Sequence, residues 1–508
     1  MAHTSSQKHG NDDVDTGAEA AMDQLAGRSS SSPAPEKTRR RPEKSGTVWT
    51  ATAHIVALLI GSSVLAVAWT FAQLGWVAGP AVVVALSVVT YYSSALLADC
   101  YRDDDPDHLG GGAVHGEYIA AVRSYLGPKS VTFCGIIQYG VLWAAMVGYT
   151  ITSSSSMSAV RRVNRFHRNW LAAGDGDGGG GGGGGATGVR YMVVFGAFQL
   201  LLSQLPSLEN VAWLSVIAVA TSFGYSSICL GLCAAKWASH RGGVRGTLAG
   251  AAAGSPGEKV FNVLLAVGNI AISYIYSPVL FEIQDTVRTP PSESKTMKRA
   301  SLYGLAMSAV FYLVLGASGY AAFGEDAPSN ILTGAAFHEP FWLVDVANAC
   351  VVVHFLGAYQ VIAQPVFARL EAYVGGRWPE SRLVTASYEL RLRVPAWTSA
   401  PPTAVTLSPA RMALRAAVIV ATTAVAAMMP FFNAVLGFIA ALGFWPLAVY
   451  LPVSMHIARV KIRRGEARWW TLQGASAALL VVAVGMGVAS VRDMVQRLNE
   501  DAPFKTTG

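Results

Sequence analysis

The stretch His54-Ile-Val-Ala-Leu-Leu-Ile-Gly61-Ser62-Ser63-Val-Leu-Ala-Val-Ala-Trp-Thr-Phe-Ala-Gln-Leu-Gly75-Trp-Val-Ala-Gly79-Pro80 is apolar and long enough to cross a bilayer, yet it carries a Gly-Ser-Ser triplet at its centre. Three small residues in the middle of a span predict a break in the helix there. Backbone N–H and C=O groups released at membrane depth survive only where protein or a polar cavity satisfies them, and interrupted helices of this kind hold the cargo in many secondary transporters. Gly61, Ser62 and Ser63 are therefore the first candidate site residues, with their backbone amides as receptors for a carboxylate.

The composition agrees with a membrane setting. Of 508 residues, 52% are hydrophobic and 14% charged, and the mean hydropathy is +0.38. A water-soluble globule of this size lacks the polar surface to cover such a chain. The net charge of +7 comes from Lys and Arg in short runs between apolar segments, the pattern of membrane flanks and not of a nucleic-acid surface. The five cysteines (Cys100, Cys134, Cys229, Cys233, Cys350) show no metal-ligand spacing and read as packing residues. Residues 1–45 read as a disordered cytoplasmic tail, 46–495 as the membrane domain with a Gly-rich loop over 171–189, and 496–508 as a C-terminal tail. The run from Gly178 to Gly185 lacks a following Gly-Lys-Ser/Thr, so it reads as a linker and not a phosphate cradle, and no glycosylation sequon occurs.

Runs of about 20 apolar residues predict about eleven transmembrane helices, near 48–72, 78–98, 130–158, 190–206, 211–236, 260–284, 300–323, 341–368, 410–430, 434–457 and 468–492. A cytoplasmic N-terminus places the basic runs Lys37–Lys44, Arg288–Arg299, Arg369–Arg393 and Arg459–Arg468 inside and the C-terminus outside. The basic residues Arg161–Arg190 and Lys236–Arg245 then fall on the external side, against the rule.

A second interruption lies about five spans after the first. In Ala266-Val-Gly268-Asn269-Ile-Ala-Ile-Ser273-Tyr274-Ile-Tyr276-Ser277-Pro278, the proline removes a donor and clashes with the preceding turn. Broken helices 1 and 6 are the pattern of a five-plus-five inverted repeat, in which the two breaks face each other near the midplane. The fold class expected is thus an all-α polytopic membrane protein. Ser273, Tyr274, Tyr276 and, on span three, Tyr139 join the candidate substrate-binding residues. Intramembrane ionisable groups carry a functional reading because an unpaired charge there costs several kcal/mol. His54 and His354 are candidates for proton coupling, and Glu282, Asp285 and Arg288 for a cytoplasmic gate.

Several blocks carry a resemblance. Gly61-Ser-Ser-Val-Leu65, Ala72-Gln-Leu-Gly-Trp-Val-Ala-Gly-Pro80, Leu97-Ala-Asp-Cys-Tyr-Arg102, Val122-Arg-Ser-Tyr-Leu-Gly127, Gln138-Tyr-Gly140, Val147-Gly-Tyr-Thr-Ile-Thr152, Glu282-Ile-Gln-Asp-Thr286, Met297-Lys-Arg-Ala-Ser301, Gly319-Tyr-Ala-Ala-Phe-Gly324 and Gly357-Ala-Tyr-Gln360 follow one another in order. In these the chain, from about residue 47 onward, resembles the plant amino acid permeases of the amino acid/auxin permease family. The resemblance implies a proton-coupled symporter importing amino acids across the plasma membrane, with eleven spans. Two departures stand out. The family's Gly-Ser-Gly is Gly61-Ser62-Ser63 here, and its Gly-Asp before the second break is Gly268-Asn269, which replaces an ionisable group with a neutral one. The expected partners are an amino acid, protons and the lipid bilayer, with no cofactor, metal or nucleic acid. No enzyme motif is present. The alternatives left open by Asn269 and Ser63 are a non-transporting amino-acid sensor, a degenerate paralogue, or a proton-independent facilitator.

Overall fold

The structure, a computed structural model, describes residues 44–102, 114–173, 184–204, 212–239, 243–333, 337, 339–386, 388–391, 404–429 and 431–500. Residues 1–43 of the tail read over 1–45, most of the glycine run and the last eight residues lie outside them. The chain divides into two compact units, one of residues 44–364 with 416–508 and the other containing residues 365–415.

In the larger unit the first span is α1 (Val48–Leu59), a 3-10 turn (Ser62–Ala66) and the start of α2 (Val67–Asp99). A capping box starts α1: the Thr47 hydroxyl accepts from Thr50 N–H at 3.3 Å, and Thr50 Oγ1 accepts from Thr47 N–H at 2.8 Å. A short α3 (Tyr118–Leu126) leads into α4 (Pro128–Ala173), followed by α5 (Gly184–Ser203) and α6 (Ala212–Ser239). The sixth span is α7 (Pro256–Ala271), a 3-10 turn (Ile272–Tyr274) and α8 (Ser277–Thr286). Then come α9 (Glu293–Phe323) and α10 (Phe341–Arg377).

Nine elements among the described residues are long and apolar enough to cross a membrane, with Val48–Leu59 and Gly188–Ser203 as shorter apolar helices. The element Ser63–Asp99 contains the end of span one and all of span two, and a helix lies in each of the eleven stretches expected from the sequence. Its corner is Gly75, with φ +80° and ψ −179°. A side chain there would be strained by the positive φ and would also collide with Gly250 N and Leu248 O, because the strap of residues 245–251 packs into the corner. Trp76 N–H donates to Thr247 O at 3.3 Å and Ala251 N–H to Ala72 O at 2.7 Å, so an amide and a carbonyl freed at the bend find partners.

Small residues set the helix spacing. A Cβ at Gly304, Gly316 or Gly319 on α9 would press on Ile55, Phe71 or Ala68, each within 2.6 Å, so α9 lies close along α1 and α2. Gly268 on α7 faces Gly437 with only 3.0 Å to spare for a Cβ, which brings in α13 (Phe432–Gly443). Span ten continues from α13 through a π-helical turn (Phe444–Tyr450) containing Pro446 into α14 (Leu451–Val460), an irregularity the continuous apolar run did not reveal. The last span is α15 (Ala467–Glu500).

The smaller unit holds the end of α10, a turn of helix α11 (Arg382–Thr385), an antiparallel hairpin of β1 (Tyr388–Arg391) and β2 (Ala404–Leu407) pairing Tyr388 with Leu407, and the first residues of α12 (Pro409–Met428). Glu371 is held between Arg411 Nε at 3.3 Å and Arg415 Nε at 2.8 Å.

Gly127 also has a positive φ, of +78°, but has open space where a Cβ would go. Gly127→Ala should therefore cost only the strain of this positive-φ, extended-ψ backbone, about 1–3 kcal/mol. Gly75→Ala should cost clearly more and lower the melting temperature of the detergent-purified protein further; equal shifts would show that the strap is not held by this contact.

Candidate functional site

In an intact helix the carbonyls of Leu59 and Ile60 would accept from the amides of Ser63 and Val64. Here Gly61 leaves helical geometry at φ −130°, ψ −146°, and Val64 N–H turns to Gly61 O at 3.2 Å. The carbonyls of Leu59 and Ile60 are released together with the first amides of the second half-helix, those of Ser62 and Ser63. The second break is similar. After the 3-10 turn, Ile275 adopts φ −90°, ψ 73°, and α8 restarts at Ser277 with Pro278 in its first turn, where a missing N–H costs nothing.

The two breaks meet. Ser63, on the first, and Ser273, on the second, are 2% and 8% exposed and their hydroxyls touch. Both also reach Tyr312 of α9, which is fully buried: Tyr312 OH lies 2.8 Å from Ser63 Oγ and 3.0 Å from Ser273 Oγ, and it donates to Leu59 O at 2.7 Å. A tyrosine has one proton, so with Leu59 as its acceptor Tyr312 receives the proton of Ser63, and Ser273 donates to Ser63. Ser222 of α6 donates to Ile60 O at 2.6 Å. Tyr274, just after Ser273, is tied to Ser87 of α2 at 2.8 Å, and Tyr276 is buried beside the restart of the helix.

Other candidate residues lie at varied distances from this cluster. Asn269 is 1% exposed on the last turn of α7, and neither of its amide atoms has a hydrogen-bond partner among the described residues. His354 on α10 bonds Ala218 O at 2.7 Å, one turn before Ser222, and lies edge-on to Tyr225. Tyr139 is partly buried on α4, and His54 is exposed on α1.

At one end of the bundle a second polar cluster ties the chain ahead of α1 to the end of the sixth span. Gly46 N–H donates to Thr286 O at 2.9 Å and Arg288 N–H to Gly46 O at 3.0 Å, a bridge between Gly46 and Val287. Lys44 Nζ pairs with Asp285 at 3.1 Å and Glu293 at 3.7 Å. Tyr101 OH donates to Asp285 Oδ1 at 2.6 Å, and Arg102 meets Glu293 at 2.5 Å. Burial, and then the Asp285 carboxylate, raise the Tyr101 hydroxyl above its ordinary range, so it remains a donor. The glutamate hydrogen bond likewise raises Arg102. Of the three gate candidates Asp285 sits inside this cluster, whereas Glu282 and Arg288 are exposed.

Sequence reading missed Tyr312, Ser222, Tyr101 and Glu293. A hydroxyl in an apolar span is a weak signal alone, since it is often satisfied by its own preceding turn, as Thr70 and Thr150 are here.

A nearly all-helical chain with nine elements long and apolar enough to cross a membrane among the described residues, and two interrupted spans that meet at their breaks, has the architecture of a polytopic membrane protein. Residues 44–496 match the family described as Transmembrane amino acid transporter protein, and the chain belongs to that family. Amino acid permease 2 of Arabidopsis thaliana is 45% identical over 469 residues, covering 92% of this chain and 91% of that one. Amino acid permease 4 of the same plant is 46% identical, covering 92% and 97%. Among solved structures, a substrate-bound, outward-open Na+-coupled sialic acid symporter aligns with a TM-score of 0.45 at 10% identity over 92% of each chain.

Glu293 has a 4% exposed side chain and serves two cations. Glu293→Gln should cost about 1–2 kcal/mol, between the values of surface and buried pairs. Combining it with Arg102→Gln should cost less than the sum of the two; simple additivity of the melting shifts would mean the pair is not coupled.

Proposed function

We propose that the protein is a proton-coupled symporter that imports amino acids across the plasma membrane, with its N-terminus in the cytoplasm and its C-terminus outside. The observation that carries this reading is the meeting of both helix breaks at Ser63, Ser273 and Tyr312. The amides of Ser62 and Ser63 hold the substrate carboxylate at the positive end of a half-helix. The main chain of the second break receives the ammonium, and Tyr139, Tyr274 and Tyr276 border the side chain. The kinship with plant amino acid permeases supports the same substrate class.

Electrogenic symport supplies the required work. One proton carried with a zwitterion moves one net charge, about 2.3 kcal/mol per 100 mV, which at about 1.4 kcal/mol per tenfold sustains roughly fifty-fold accumulation. His354, buried in the bundle against the Ala218 carbonyl, is the proton-coupling candidate nearest the elements of the site, and His54 the more remote one. The cluster of Lys44, Asp285 and Tyr101 serves as the cytoplasmic gate, opening when the α1 end separates from α8.

A proton-independent facilitator is the second reading, favoured by Asn269, a neutral residue with unsatisfied amide atoms where related permeases carry an acid. Substrate-evoked current in oocytes, with neutral, acidic and basic amino acids at about pH 5.5 and about pH 7.5, separates the two. Inward current that grows in acid supports symport. Labelled uptake without current supports facilitation, and surface protein with neither refutes transport. Under symport, Asn269→Asp should steepen the pH dependence of the current by adding a titratable group next to the break.

A further inference from the structure

A break in a membrane helix releases groups of both signs. The amides of Ser62 and Ser63 attract an anion, while the carbonyls of Leu59 and Ile60, at the negative end of α1, repel one and can hold a cation. In this chain the two kinds of group are treated differently. Tyr312 OH donates to Leu59 O at 2.7 Å and Ser222 Oγ to Ile60 O at 2.6 Å. The two donors come from α9 and α6, so neither contact is a local consequence of the α1 turn. Tyr312 is 0% and Ser222 1% exposed, so in this arrangement water does not compete for these carbonyls.

We propose that Tyr312 and Ser222 are positioning residues that quench the two freed carbonyls and so make the first break a receptor for anionic carboxylate. This rests on the transport reading above and goes further by naming what determines its charge selectivity. Tyr312 does a second task through Ser63. By accepting the Ser63 proton it ties that hydroxyl into the network with Ser273, and the Ser63 amide is left to the carboxylate.

Without the Tyr312 hydroxyl, Leu59 O keeps only the short-range contact to Gly61 N–H at 3.1 Å, and Ser63 loses its acceptor. Without the Ser222 hydroxyl, Ile60 O loses its side-chain donor. Either way a partial negative charge is uncovered near the carboxylate position. The cost falls on substrates with a carboxylate and spares those without one.

The test uses the full chain in oocytes, with Tyr312→Phe, Ser222→Ala and the two combined. The probe is whichever of the twenty labelled protein amino acids gives the greatest uptake, competed by the same unlabelled amino acid and by its primary amide, which keeps the ammonium and side chain but lacks the anion. The readout is the ratio of the two inhibition constants, with maximal uptake normalised to surface protein. The wild-type ratio should strongly favour the amino acid. Loss of one buried partner should lower that ratio by about tenfold in each single variant, with KM rising and maximal uptake largely kept. Variants that weaken both competitors equally, or that keep the wild-type ratio, would overturn the proposal. A wild-type protein that transports the amino acid but does not prefer it to the amide overturns the proposal through its premise of carboxylate binding, leaving amino acid transport itself standing. Should Tyr312→Phe fail to reach the surface, Ser222→Ala carries the same test alone.

Discussion

Every feature of the central site follows from one constraint: a peptide group that leaves a helix inside the bilayer must find another partner, because no bulk water is there to supply one. Two spans of this chain violate helix geometry at depth, at Gly61 and at Ile275, and the surrounding elements are arranged to absorb the consequences. Tyr312 comes from the ninth helix and Ser222 from the sixth. Ser273 donates to Ser63 across the two breaks. The hydroxyls are thus a scaffold for the backbone before they are anything for a ligand. Since that scaffold involves α1, α6, α7 and α9 together, a movement of either half-helix must exchange hydrogen bonds on several elements at once.

The packing explains how those elements come near enough. Hydroxyl contacts below 3 Å require close helix axes, and α9 achieves this with Gly304, Gly316 and Gly319 against Ile55, Phe71 and Ala68. In lipid the association of helices draws little from hydrophobic transfer and depends on close van der Waals fit and on polar contacts. Here the two act together, the glycines admitting α1 and α2 and Tyr312 fastening them. The corner at Gly75 extends the same logic to the end of the span, where the strap at 245–251 fills the orphaned backbone sites. At the opposite end of that span, ionic pairs around Lys44 and Glu293 stand beside the backbone bridge between Gly46 and Val287.

Much of this could be read from the sequence, and the parts that could not share a physical reason. Apolar length revealed the passes, and Gly61-Ser62-Ser63 and Pro278 marked the breaks, because backbone chemistry is written locally. Ser63 and Ser273 were both singled out before their contact was known. Tyr312 and Ser222 were not, since their role exists only across 253 and 162 residues of chain separation. The kink at Gly75 was hidden inside a continuous apolar run, and so was the π turn around Pro446. Lys44 read as one of several basic flank residues; nothing in its neighbourhood predicted that it would pair with Asp285 and Glu293.

The substitution of a serine for glycine at position 63 illustrates why a single departure from a family pattern is ambiguous until its surroundings are seen. Taken alone, a Cβ and a hydroxyl at the mouth of a half-helix obstruct the approach of a carboxylate. In the folded chain the hydroxyl instead has two partners of its own, Tyr312 and Ser273. Asn269 is the reverse case. Standing where the family resemblance implies an acid, it is an amide with no partner among the described residues, in a place where burying an unsatisfied amide costs on the order of 1–3 kcal/mol. Ser63 is compensated within the fold and Asn269 is not, so of the two departures Asn269 is the one that bears on how transport is energised.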